Sequence, residues 1–169
     1  MQELARLLNE MCKNEIVTNY AIFEAVAQMR YTEPVATVDA DVLVAMEGEV
    51  GLDVLKPIYE FCSRQGFQPK GKAIEVGAWP VQFIPVFSPL TKEAVEEAET
   101  ADFEGIPLCV VRAVHLAVIA LSVGRAKDFT RILALLDAGS VNQQDVANLA
   151  AKHGLANEWQ RFERKFLND

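Results

Sequence analysis

Apolar positions switch between two periods over the first two thirds of the chain, then settle on one. Leu4, Leu7, Leu8 and Met11 recur at helical spacing and predict an amphipathic helix over about residues 2–13. "IVTNYAIF" (16–23) is rich in β-branched and aromatic residues and reads as a strand. "EAVAQMRY" (24–31) returns to helical spacing, and Pro34 disfavours helix at the residue before it. In "TVDADVLV" (37–44) the run Val42-Leu43-Val44 predicts a buried strand over 39–45. "GLDVLKPIYEFCSRQGF" (51–67) reads as an amphipathic helix, with Pro57 at a kink or in its first turn and Gly66 as its stop. Two apolar runs around Gly77-Ala78 predict a β-hairpin with strands near 72–76 and 80–86.

"SPLTKEAVEEAET" (88–100) opens with Ser88 and Pro89 in capping positions and reads as an acidic helix. "ADFEGIPLCVV" (101–111) predicts a turn at Gly105-Ile106-Pro107 and a last short strand. From Arg112 the pattern is helical throughout, with a break at Gly124. Ser140 followed by Gln143 has the form of a capping box for a helix through Lys152, and Trp159, Phe162 and Phe166 share one side of the last helix. The expected class is α+β: a mixed sheet covered by helices over 1–111, then a C-terminal helical extension over 112–169, packed on it as one structural unit.

Composition narrows the setting. The 51% hydrophobic share of the 169 residues fits a packed globule, and no apolar run approaches the ~20 residues of a membrane span. The net charge of −8 speaks against general binding to a nucleic-acid backbone. Cys12, Cys62 and Cys109 are too scattered for a disulfide framework or a zinc site, and point to a reducing cytoplasm.

The candidate chemistry lies in "TVDADVLV". Residues i and i+2 of a strand share a face, so Asp39 and Asp41 come side by side and repel each other unless a cation lies between them. Mg²⁺ is the natural partner of such a pair; a polar turn facing water is the other reading. "GRAKDFTR" carries Arg125, Lys127 and Arg131, either an anion-binding cluster or a solvated helix face.

Three stretches in this order, "NYAIFEAVAQMRYTEPVATVDADVLV" (19–44), "WPVQFIPVFSPLTKEAVEEAE" (79–99) and "VVRAVHLAVIALSVGRAKDFTRILALLDAG" (110–139), resemble the minimal nucleotidyltransferase-like proteins of the DNA polymerase beta superfamily, relatives of abortive-infection toxins. The resemblance implies a nucleotidyltransferase-like fold and Mg²⁺-dependent transfer from a nucleoside triphosphate to a protein or RNA hydroxyl. It implies metal binding by Asp39 and Asp41, with Gln82 where active relatives carry a third carboxylate; Glu75 is a substitute for that role. It also implies that Thr37, just ahead of the aspartates, helps to bind the nucleotide. Phe23 and Glu24 correspond to the small residues that let a loop approach phosphate, and Arg125 and Lys127 correspond to phosphate or substrate contacts. A side chain where glycine is wanted, and an amide where a carboxylate is wanted, give an alternative: a catalytically degenerate fold serving as a binding module, with a protein partner in a toxin–antitoxin or defence pair.

Overall fold

A computed structural model describes residues 1–48, 51 and 53–168. The chain forms two compact units, one of residues 1–27 and 36–111, the other of residues 28–35 and 112–169.

The first unit is built on a seven-stranded mixed sheet. Its strands are β1 (Asn19–Phe23), β2 (Ala40–Ala45), β3 (Pro69–Lys70), β4 (Ala73–Val76), β5 (Trp79–Pro85), β6 (Glu99–Phe103) and β7 (Ile106–Val110), in the order β3-β4-β5-β2-β1-β7-β6. Strand β2 is central, antiparallel to β1 and parallel to β5. Its Val42, Leu43 and Val44 are fully buried, as a central strand covered on both faces requires. Each such side chain contributes about 1.5–3 kcal/mol on burial. Helix α1 (Gln2–Lys13) buries the predicted stripe of Leu4, Leu7, Leu8 and Met11.

The two prolines of β5 are tolerated for a reason visible in the register. Pro80 lies opposite Glu75 of β4, one residue before the pairing with β2 begins at Val81, and Pro85 ends the strand. Neither therefore interrupts the ladder with the central strand β2, where a missing N–H would cost most; Pro80 is instead paired within the short β4–β5 ladder.

Several expectations need correction. Helix α2 (Glu24–Gln28) is shorter than the expected 24–31, and α3 (Lys56–Arg64) occupies only the later part of 51–67, with Pro57 in its first turn. Residue 52 of that span lies outside the described residues. Helix α4 (Pro89–Glu96) has the Ser88 cap, completed by Thr91, but stops before the predicted Thr100. Residues 99–103 instead form the edge strand β6, paired with β7 through a two-residue turn at Glu104-Gly105. Both turn residues have positive φ, +53° and +84°, the geometry that matches strand twist in a tight hairpin. The turn therefore sits one residue earlier than expected, and Ile106 and Pro107 belong to β7.

The second unit is helical: α5 (Ala113–Val123), α6 (Ala126–Asp137), α7 (Gln143–Lys152) and α8 (Ala156–Phe166). Helix α5 is apolar nearly all round and packs against the other three, which makes it the central helix of this unit. Gly124, left-handed at φ +72°, ends it as the break at this position predicts. The cap of α7 is Asn142, whose side chain accepts from the Asp145 N–H at 2.8 Å. Ser140, expected in that role, instead donates its hydroxyl to the Tyr31 carbonyl.

Candidate active site

The register of the central strands lines up the residues of interest. Asp41 of β2 lies directly opposite Phe23 at the end of β1 and opposite Gln82 of β5. Cross-strand partners share a face, so Phe23, Asp41 and Gln82 form one row across three strands. Asp39, two residues before Asp41, just precedes β2.

The Asp39 carboxylate is held at both oxygens. Gln82 donates its amide N–H to Oδ2 at 2.9 Å. The Thr37 hydroxyl lies 3.2 Å from Oδ1 and 2.9 Å from the Asp39 carbonyl oxygen, sharing its proton between them. These contacts are partly buried, so the carboxylate is fixed in direction while part of it still meets solvent. The repulsion expected between Asp39 and Asp41 is thereby offset in part by neutral donors. Thr37, expected at the nucleotide, has a local task here, orienting Asp39.

The residues that register and hydrogen bonding bring to this corner, two aspartates and a glutamine, carry the hard oxygen ligand types that suit Mg²⁺. In the present arrangement Gln82 offers Asp39 its N–H. Glu75 pairs instead with Lys70, Oε1 to Nζ at 2.6 Å, on the exposed β3–β4 hairpin.

The loop residues behave differently. Phe23 is buried at 5% exposure and fills space beside Asp41. Glu24, which opens α2, has φ +51°. That left-handed conformation costs a residue with a Cβ about 1–2 kcal/mol and favours glycine. The backbone thus keeps a glycine-type bend while the side chain is Glu, a feature that no periodicity in the sequence signals. Val38, between Thr37 and Asp39, is 84% exposed and was likewise missed.

Arg125 and Lys127 belong to the second unit. Arg125 caps α6 by gripping Asp128: Nε lies 2.7 Å from Oδ2, Nη2 lies 3.1 Å from Oδ1, and the Arg125 backbone N–H lies 3.0 Å from Oδ2. Asp128 is only 1% exposed. Arg131, also buried, adds Nη1 at 3.7 Å from Asp128 and donates its Nε–H to Gln28 at 3.0 Å. Burial pushes the Asp128 carboxyl up, but hydrogen bonds and charge from Arg125, with Arg131 adding, outweigh it and hold the group below its usual range. The "GRAKDFTR" charges are therefore not a plain solvated face. Lys127 is exposed.

No family model matches the chain, and neither does any curated protein. Solved structures do. The antibiotic-resistance factor ANT(2'')-Ia, described for its substrate-regulated conformation dynamics, is similar over 97% of this chain and 96% of its own, at 12% identity and a TM-score of 0.53. An antigenic nucleotidyltransferase-like protein from Paracoccidioides brasiliensis is similar over 99% of this chain and 98% of its own, at 14% identity and a TM-score of 0.51. At such identities the likeness is one of fold. An α+β sheet followed by helices α5–α8, similar over nearly its whole length to these proteins, gives the chain a nucleotidyltransferase-like fold.

Proposed function

We propose that the protein carries out Mg²⁺-dependent transfer of a nucleotidyl group from a nucleoside triphosphate to a hydroxyl of a protein or RNA, at a low rate. The observation that supports the reading is that Asp39 and Asp41 stand two residues apart at the start of the central strand, with Gln82 paired to Asp41 and hydrogen-bonded to Asp39. Asp39 and Asp41 would hold the metal, with Gln82 at the third position. A bound divalent cation would neutralise charge on the triphosphate and polarise it for displacement. Thr37 and Gln82 keep Asp39 aimed in one direction, so that little side-chain freedom is lost on metal binding. Arg125 and Lys127 are the candidate contacts to phosphate or substrate on the second unit; of the two, Arg125 is already committed to Asp128.

A second reading is a fold whose chemistry is gone, serving as a binding module for a partner in a toxin–antitoxin or defence pair. It is favoured by Phe23 and Glu24, where a loop approaching phosphate would need backbone unobstructed by side chains and no extra negative charge. Calorimetric titration with Mg²⁺ and each nucleoside triphosphate, alongside a radiolabel-transfer assay, separates the two. The first reading expects weak, Mg²⁺-dependent binding that Asp39→Asn with Asp41→Asn removes and that Phe23→Gly with Glu24→Gly improves. Binding by none of these proteins would leave the interaction module.

A further inference from the structure

In the helical unit, α6 and α8 leave an open trough between them. Two adjoining cavities of about 290 and 510 Å³ share Phe129, Lys165 and Phe166. Phe129 and Leu133 line it from α6, one turn apart; Arg161, Phe162, Lys165 and Phe166 line it from α8, over a turn and a half. The three phenyl rings form one cluster, with centroids 5.0–5.8 Å apart and planes tilted by 42–48°. The cluster is not sealed: Phe166 is 36% exposed, and Val123 at the end of α5 is 46% exposed.

The rim is cationic. Lys165 lies with Nζ 5.1 Å from the centre of the Phe166 ring. Arg161 meets Glu158, the one carboxylate among the described lining residues, at 3.0 Å, in an exposed pair of the kind that contributes little and exchanges readily. The wider charge distribution agrees. The helical unit carries nine Lys or Arg against seven Asp or Glu, whereas the sheet unit carries seven against seventeen. A basic-rimmed apolar trough thus stands on an otherwise acidic chain.

We propose that this trough binds an amphipathic helix of a partner protein, with apolar side chains at helical spacing inserted along the phenyl cluster and carboxylates on its flanks meeting Arg161 and Lys165. Its shape favours a helix, because stripes one to two turns long on two helices leave a trough of about 10 Å, the length over which i, i+3 and i+7 anchors fit. Its charge selects acidic flanks. Single-stranded RNA fits less well: the rings pack on one another rather than standing clear for bases, and two lining cations are too few to track a phosphate backbone. The inference stands whether or not the sheet unit is catalytic.

The test uses the full chain and two fluorescein-labelled peptides of about 14 residues. Both carry Leu at helical spacing; one has Glu on its flanks, its twin has Lys. Fluorescence anisotropy should show binding of the acidic peptide alone, weakened as salt rises. Arg161→Glu with Lys165→Glu, at exposed positions, should keep the far-ultraviolet circular dichroism spectrum and lower the affinity at least about tenfold, which corresponds to about 1.4 kcal/mol. Binding of both peptides alike, of neither, or of the acidic one undiminished by the double variant would overturn the proposal. So would tighter binding of an oligouridine at the same site. Self-association in sedimentation equilibrium that the double variant abolishes would overturn it in favour of a second copy of the chain.

Discussion

Replacing Gln82 by Glu tests how the carboxylate pair is held. In the native arrangement the Gln82 amide donates to Asp39 Oδ2 at 2.9 Å, with Asp41 beside it in register. Gln82→Glu removes a hydrogen bond to a charged group, about 1.5–3 kcal/mol, and puts a third carboxylate within a few ångströms of two others. Like charges at about 4 Å repel by about 4 kcal/mol at an effective dielectric of 20, and partial exposure of the site reduces that severalfold. The summed loss without metal is about 2–4 kcal/mol, or a fall in Tm of about 4–16 °C for a chain of this size. A divalent cation should narrow the gap, because the third carboxylate then becomes a charged ligand; at a concentration 100 times Kd, binding returns about 2.7 kcal/mol. The assay is thermal unfolding of wild type and Gln82→Glu in chelator and in millimolar Mg²⁺ or Mn²⁺. Equal Tm values in chelator would show that Gln82 does not support Asp39. A larger metal-induced rise in the wild type than in the variant would refute the placing of Gln82 at the metal's third position.

Other outcomes follow from named contacts. Asp128→Asn should cost about 2–3 kcal/mol in chemical denaturation, toward the lower side of a buried pair because Arg125 is half exposed. The folded Asp128 carboxyl is held below its unfolded value of about 3.9, so its contribution is present above that pH and is lost as pH falls through the folded value; the gap between wild type and Asp128→Asn should close below about pH 4. Glu24→Gly should raise stability by about 0.5–1 kcal/mol, the relief of left-handed strain less the entropy glycine gains when unfolded, and a loss of more than about 1 kcal/mol would show that the Glu24 side chain outweighs the strain. Burial pushes the Cys62 thiol up to about 11, so iodoacetamide at pH 8 should label it only after unfolding, as read by mass spectrometry of peptides from native and denatured protein.

How much of this was legible beforehand depended on whether the cause was local. The run Val42-Leu43-Val44 and the turn at Gly77-Ala78 gave the central strand and a hairpin, because burial on both faces and turn chemistry are written in adjacent residues. Strand β6 was hidden, since its first residues Glu99 and Thr100 close "EEAET", a stretch made largely of helix formers, and "ETADF" becomes a strand through pairing with β7, a tertiary effect. Strand β3, two residues long, is too short to have a period. At the site, the spacing of Asp39 and Asp41 announced a shared face, but the diagonal hydrogen bond from Gln82 required the register between β2 and β5. The bend at Glu24 could not be read, because a glutamate carries no sign of positive φ. Arg125 looked like a phosphate contact or a surface charge; its grip on the buried Asp128 depends on a helix cap that three residues form in space.

The central claim is that Asp39 and Asp41 form a divalent-cation site on a nucleotidyltransferase-like fold. Its most direct test is the melting temperature of the full chain titrated with Mg²⁺ and Mn²⁺, compared with Asp39→Asn and Asp41→Asn combined. The account predicts a rise in the wild type that grows with metal concentration by mass action and is absent from the double variant, with both proteins giving the same circular dichroism spectrum. An equal rise in both, or none in the wild type, would contradict it.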